Sequence, residues 1–350
     1  VDRNFSPWTY WLARQDEIRP LDPVPDDPGA MPAWRDRVRV RLAERLGPWP
    51  DPVPPRVEFG DPVEEEGLLR QRVVFDTEAH LSVPAWLLTP VGLRPPGAAV
   101  LVVHGHGQDK DVVCGAAPAT TSPSPGSDYA RVIARSGLVV LAPDLRGFGE
   151  RADRLLPVPD PGDLAAEIVA HQADCGWELT CALLTGTTPL AQNLWDLRRC
   201  LDVLARLPQV DERRIGAAGW SYGGALVLFL AAVDPRVRAV VVSGFLSSWR
   251  RAHRVPWNLC GRQILAGLLG NLEHVDLASL VAPRPLLVES GRDDPLFPAE
   301  EAAATVAALR HIYRGLGADA AAVHHDVFDG GHRFWGKRSV PFLSEQLRRP

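Results

Sequence analysis

From residue 68 onward the chain alternates between apolar runs and amphipathic ones. LLRQRVVF (68–75) and LSVPAWLL (81–88), joined by the polar DTEAH, predict an antiparallel pair of strands. Shorter apolar runs follow at AAVLVV (98–103), LVVLAPD (138–144), RRIGAAG (213–219), AVVVSGF (239–245) and RPLLVES (284–290), with a more polar last strand at AAVHHDVF (321–328). Between them the spacing predicts helices over SDYARVIARSG (127–137, stopped by Gly137), AQNLWDLRRCLDVLARL (191–207) and AEEAAATVAALRHIYRGLG (299–317). Fully apolar strands separated by helices imply an α/β fold with a mostly parallel sheet covered on both faces.

The first 60 residues read differently, being rich in Trp, Arg and Pro. One strong helix is predicted over PAWRDRVRVRLAERLG, where Trp34, Val38, Leu42 and Leu46 recur at helical spacing and Gly47 ends the run. The Pro-rich PWPDPVPP (48–55) is a stiff connector. The expected organisation is therefore a helical arm, 1–60, packed on a main α/β domain, 61–350. Two lid-like insertions, near 150–190 and 246–280, exceed what simple crossovers need.

Composition narrows the picture. With 46% hydrophobic and 23% charged residues the chain can bury a full core, and a net charge of −5 gives no general attraction to nucleic acid or an anionic membrane. Lys110 and Lys337 are the only lysines, so nearly every cation is arginine, which we read as compositional bias. Cys114, Cys175, Cys181, Cys200 and Cys260 form no C-x-x-C pair, so neither a disulfide framework nor a zinc ribbon is suggested. The opening residues carry no secretory pattern, and the longest apolar run, ALVLFLAAV, is far short of the roughly 20 residues that span a bilayer. A cytoplasmic protein acting on a small molecule, with no membrane or nucleic-acid partner, is expected; a homo-oligomer is left open.

The most informative stretch is Gly219-Trp220-Ser221-Tyr222-Gly223-Gly224, set between the strand RRIGAA and the apolar helical run ALVLFLAAV. A G-x-S-x-G turn from strand to helix lifts one serine above a sheet, with small residues on either side to avoid collision and a helix N-terminus beneath to favour a developing anion. A serine hydroxyl needs a base. His253, His274, His311, His324, His325 and His332 lie downstream, and His332 is preferred because Asp329-Gly330-Gly331 immediately before it gives a tight loop beyond the last strand. His324 and His325 lie on that strand and His311 mid-helix. The acid that orients the imidazole is expected in Gly291-Arg292-Asp293-Asp294-Pro295, with Asp294 preferred over Asp293; Glu289, Asp326 and Asp329 are weaker rivals. His104-Gly105-His106-Gly107 follows an early strand and fits an oxyanion loop, in which the backbone N–H of His106 acts with that of Tyr222. A metal reading of the two histidines lacks a third ligand, no nucleotide fingerprint is present, and no cofactor is expected. Asp144-Leu145-Arg146-Gly147-Phe148-Gly149 reads as a loop buttressing the rim.

HGHG, DLRGFG, GWSYGG, APRPLLVESGRDDPLFP and GGHRF occur in the order seen in α/β-hydrolases, and the chain resembles their acetylxylan-esterase and dienelactone-hydrolase-like branch over about residues 65–345. Trp195-Asp196 before Val210-Asp211 and the RIG strand, and the N-terminal W-R-x-R helix, are similar to features of that branch. The resemblance places Ser221, Asp294 and His332 at the nucleophile, acid and base positions. GWSYGG is equally similar to the oligopeptidase branch, whose large β-propeller this chain is too short to hold. Dienelactone hydrolases use a cysteine nucleophile, so Ser221 points to ester chemistry: hydrolysis of a carboxylic ester of a small or medium molecule. Amide or C–C cleavage, acyl transfer to an alcohol, and a non-catalytic ligand-binding relative are the alternatives. Trp177, Trp249 and Trp257, in the insertions, serve equally well as pocket lining or core.

Overall fold

The computed structural model describes residues 3–116, 126–152, 175–254 and 259–348. Among them, ten strands form one sheet: β1 (Glu58–Phe59), β2 (Val63–Glu65), β3 (Leu68–Glu78), β4 (Leu81–Pro90), β5 (Gly97–Val103), β6 (Val139–Pro143), β7 (Val210–Trp220), β8 (Val237–Ser243), β9 (Leu286–Gly291) and β10 (Val323–Phe328). The order is β1-β3-β4-β6-β5-β7-β8-β9-β10, with β2 paired to β3. The predicted pair β3 and β4 is antiparallel in the register Phe75↔Val83, and β4 joins β6 antiparallel. From β6 across to β10 every pairing is parallel.

The parallel strands are buried on both faces, and their period of two sorts them into two cores. Ala99, Leu101 and Val103 with Ile215, Ala217, Val240 and Val242 face the larger core, which is covered by the helices Met31–Leu46, Pro189–Leu204, Tyr222–Val233 and Ala299–Gly315. Val100, Val102, Ala218, Val241 and Leu287 face a smaller core against the helices Tyr129–Arg135 and Ser339–Gln346. Thr188 caps its helix by accepting the Ala191 N–H, and Gly47 and Gly137 end theirs at positive φ.

Within residues 1–60, helix Met31–Leu46 buries Trp34, Val38, Leu42 and Leu46, joined by Met31, in the larger core. A second helix, Pro7–Glu17, was not foreseen. Its start was legible in Ser6-Pro7, an N-cap followed by proline at the first helical position. It lacks an apolar stripe: Gln15 alone is buried, and Trp8, Tyr10 and Trp11 are exposed. Residues 58–59 pair with β3, so the end of this stretch is part of the sheet. The strand expected at 213–219 begins earlier, at Val210. Of the insertions, the described parts hold the short helices Cys175–Leu184, Trp249–His253 and His274–Ser279; Trp257 lies outside the described residues. Trp249 is buried and Trp177 exposed. No helix among the described residues is long and apolar enough to cross a membrane.

The register brings the strand ends to one edge. Val103 lies beside Gly219, Trp220 beside Ser243, Ser243 beside Glu289, and Gly291 beside Phe328. HGHG, DLRGFG, GWSYGG and the loops that carry Asp294 and His332 leave the sheet at that edge.

Candidate active site

Ser221 sits between β7 and helix Tyr222–Val233 with φ +55° and ψ −116°, a conformation that few non-glycine residues adopt. Its N–H donates to the Ser243 carbonyl at 2.8 Å, which ties the strained turn to β8. The flanking glycines are required by contact. A Cβ on Gly219 would lie 2.3 Å from the Gly223 carbonyl oxygen, and one on Gly223 would lie 2.1 Å from the Val103 carbonyl oxygen. The turn is thus packed against main chain on both sides, and the serine side chain projects at its apex.

His332 and Asp294 arrive from the loops after β10 and β9. His332 Nε2 is 2.9 Å from Ser221 Oγ, and His332 Nδ1 is 2.7 Å from Asp294 Oδ2. Asp294 is buried, and its other oxygen accepts the N–H groups of Leu296 at 2.9 Å and Phe297 at 3.1 Å. A carboxylate held this way accepts from Nδ1–H, which leaves the Nε2 lone pair facing the serine. Gly291 permits the approach of the two loops, since a Cβ there would meet the Gly331 carbonyl at 2.5 Å. Asp293 is exposed and Asp329 pairs with Arg292 on the surface. Glu289 is buried and accepts the Gly336 N–H and the Ser339 hydroxyl, holding the segment after His332; burial raises its pKa.

In the HGHG loop, His104 Nε2 accepts the Leu145 N–H at 3.1 Å, so the ring proton sits on Nδ1, which donates to the Gly105 carbonyl at 2.9 Å. The Gln108 N–H donates to the same carbonyl, and Gln108 Oε1 accepts the Gly105 N–H at 3.1 Å. A planar trans peptide whose oxygen is pinned on one side presents the N–H of the next residue, His106, on the other. Both nitrogens of His104 are consumed by backbone, and burial lowers its pKa. Tyr222 opens its helix, so its N–H is one of those without an intrahelical acceptor. Its hydroxyl points into the core, donating to the Arg262 carbonyl and accepting from Asn193.

Sequence reasoning missed the ionic frame behind this loop. Lys110, fully buried, reaches Asp144 at 3.0 Å and Glu150 at 2.8 Å; burial opposes its charge, but these partners win and its pKa is raised. Asp144 also accepts the Lys110 and Glu150 N–H groups, while Phe148 lies edge-on to both His104 and His106 at 5.3 Å. Arg146 grips buried Asp196 with two hydrogen bonds of 2.8 and 2.9 Å. The rarity of lysine was the available signal: of the two lysines in the chain, Lys337 is exposed and Lys110 is buried among carboxylates.

The remaining histidines are placed apart from Ser221. His324 packs on Phe342, and His325 contacts Ser290 Oγ, its pKa pushed down to about 4 by burial. His311 is half-buried on its helix, and the side chain of His253 lies outside the described residues. His274 is buried against Phe245 and Trp249, its Nδ1 accepts the Ser247 N–H, and burial pushes its pKa down to about 3. Its folded pKa is depressed below the unfolded value near 6.5, so the unfolded state binds the extra proton between those values and stability falls as pH falls. At pH 5 the cost is about 2 kcal/mol. We expect a His274→Gln variant to melt less steeply with falling pH than the parent between pH 7 and 5; parallel slopes would refute this.

The strand order, the serine turn and the loops at one sheet edge define the α/β-hydrolase fold. Residues 134–259 match the family model described as Acetyl xylan esterase (AXE1). The chain is 28% identical over 290 residues to "Putative hydrolase YtaP" of Bacillus subtilis (strain 168), covering 80% of this chain and 88% of that protein. Among solved structures it is similar to a "putative acetyl xylan esterase" from Bacteroides fragilis NCTC 9343 (TM-score 0.74, 18% identity, 94% of this chain and 83% of that one). It is also similar to a glucuronoyl esterase from Solibacter usitatus (TM-score 0.67, 16% identity, 94% of this chain and 96% of that one).

Proposed function

We propose that this protein is a serine esterase that hydrolyses carboxylic esters of small or medium molecules through an acyl-enzyme on Ser221. The observation that carries the reading is the chain of two short contacts, Ser221 Oγ to His332 Nε2 and His332 Nδ1 to Asp294. The acetyl xylan and glucuronoyl esterases named above support ester over other acyl chemistry. His332 takes the Ser221 proton as Oγ attacks the ester carbonyl, and the Asp294 carboxylate stabilises the imidazolium. The N–H groups of His106 and Tyr222 hold the oxyanion, each worth about 3 kcal/mol in the transition state. Collapse expels the alkoxide, which leaves as alcohol with the proton from His332. Water then gives a proton to His332 and attacks the acyl carbon, and Ser221 recovers its proton as the acid departs.

The test pairs p-nitrophenyl esters of rising acyl length with matched anilides, and treats the protein with a fluorophosphonate followed by peptide mass mapping. The expected outcome is ester turnover that exceeds anilide turnover, with the phosphonyl adduct on the peptide containing Ser221. Faster cleavage of the anilide, or no adduct and no turnover of either, would overturn the assignment.

A further inference from the structure

Trp220 belongs to the serine turn, yet the chemistry above gives it no part. Its indole meets three loops that leave three different strands. The ring centroid lies 4.9 Å from that of His332, inclined at 39°. A Cβ on Gly105 would fall 2.5 Å from Cε3 and 2.9 Å from Cζ3, so the six-membered half of the indole fills the space that Gly105 leaves bare. A Cβ on Gly244 (φ +59°) would fall 3.2 Å from Nε1 and 3.3 Å from His332 Cε1. The Trp220 backbone is the last residue of β7, paired with Ser243, which makes it a rigid mount. Nε1–H is buried without a hydrogen-bond partner among the described residues, so the ring is held by shape.

The need for such a wall follows from the geometry of the base. Hydrogen bonds at Nδ1 and Nε2 anchor the imidazole to two side chains, Asp294 and Ser221, and do not by themselves stop it from rocking across the line between them. Such rocking turns the Nε2 lone pair off the serine hydroxyl, and small errors in a reacting geometry are expensive. Flat apolar surfaces against the ring remove that freedom, and Phe297 adds a second one at 5.8 Å.

We propose that Trp220 is a positioning residue: its indole sets the plane of the His332 ring and spaces it from the oxyanion loop at Gly105. The inference rests on the serine-esterase reading. Trp220→Leu and Trp220→Phe are to be compared with the parent in kcat and KM for p-nitrophenyl acetate, and in the low-field proton resonance of His332 Nδ1–H. Trp220→Leu should lower kcat about 10- to 100-fold with KM within about twofold, and broaden or abolish the resonance. Trp220→Phe, which keeps a flat ring and loses only the N–H, should restore most of both. Trp220→Met, keeping bulk without a flat ring, answers the same question should the leucine variant not fold. A raised KM at unchanged kcat, or an unchanged kcat with a sharp resonance in Trp220→Leu, would overturn the proposal. If the parent turns over no ester, the esterase reading fails while the resonance still decides whether Trp220 holds the ring.

Discussion

Ser221→Ala is expected to lower kcat for a short acyl ester by about 10⁶-fold, and Asp294→Asn by about 10⁴-fold, whereas Asp293→Asn stays within about twofold of the parent. In the proposed reaction the first change removes the atom that bonds to the acyl group. The second keeps the size of the side chain but puts an amide where His332 Nδ1–H needs an acceptor, 2.7 Å away. The ring is then held in the wrong tautomer, with Nε2 carrying a proton toward the serine. Asp293 is exposed, one residue along the same loop, and serves as the internal control. Initial rates with p-nitrophenyl acetate under saturation make the comparison. Equal losses at Asp293 and Asp294, or an alanine variant at position 221 within tenfold of the parent, would refute the assigned roles.

Gly223→Ala is expected to destabilise the fold by at least about 3 kcal/mol, lowering the melting temperature by about 6 °C or more. The added Cβ would stand 2.1 Å from the Val103 carbonyl oxygen and 2.6 Å from that of His104. Both are main-chain atoms at the end of a central strand, so no side-chain rotation relieves the overlap. The helix Tyr222–Val233 would have to move away from the sheet, opening the larger core. Gly331→Ala is the control, since its nearest neighbour stands at 3.7 Å, and it should melt within about 2 °C of the parent. Thermal denaturation followed by far-ultraviolet circular dichroism reads both. A Gly223→Ala protein that melts with the parent would show the turn to be looser than the contact implies.

Legibility differed among the parts of the site. Gly219-Trp220-Ser221-Tyr222-Gly223 could be read because local sterics alone demand small residues around a strained serine between a strand and a helix. Asp294 and Asp293 were harder to separate, because adjacent residues in a loop differ only in which one the surrounding loop buries. His332 stood out from five other histidines by its glycines, which permit the close approach of two loops. Asp144, Arg146 and Glu150 lie in or beside the loop read as a buttress, but their pairing with Lys110 and Asp196 carried no such mark. Asp144 is 34 residues from Lys110 and Arg146 is 50 from Asp196, and charged residues in a loop look solvated until the sheet brings them together. The helix Pro7–Glu17 lacks an apolar stripe, so periodicity was silent there.

By itself the chain determined its alternation of strands and helices, the burial of both faces of the parallel strands, and the residue types able to do acyl chemistry. These follow from local hydrophobic period and from turns that only certain residues tolerate, which are properties of short stretches. Tertiary structure decided the strand order, which aspartate faces the imidazole, the pinned Gly105 peptide and the indole wall at Trp220. Those depend on loops from different strands meeting at one sheet edge, at distances that register sets and that no short stretch encodes.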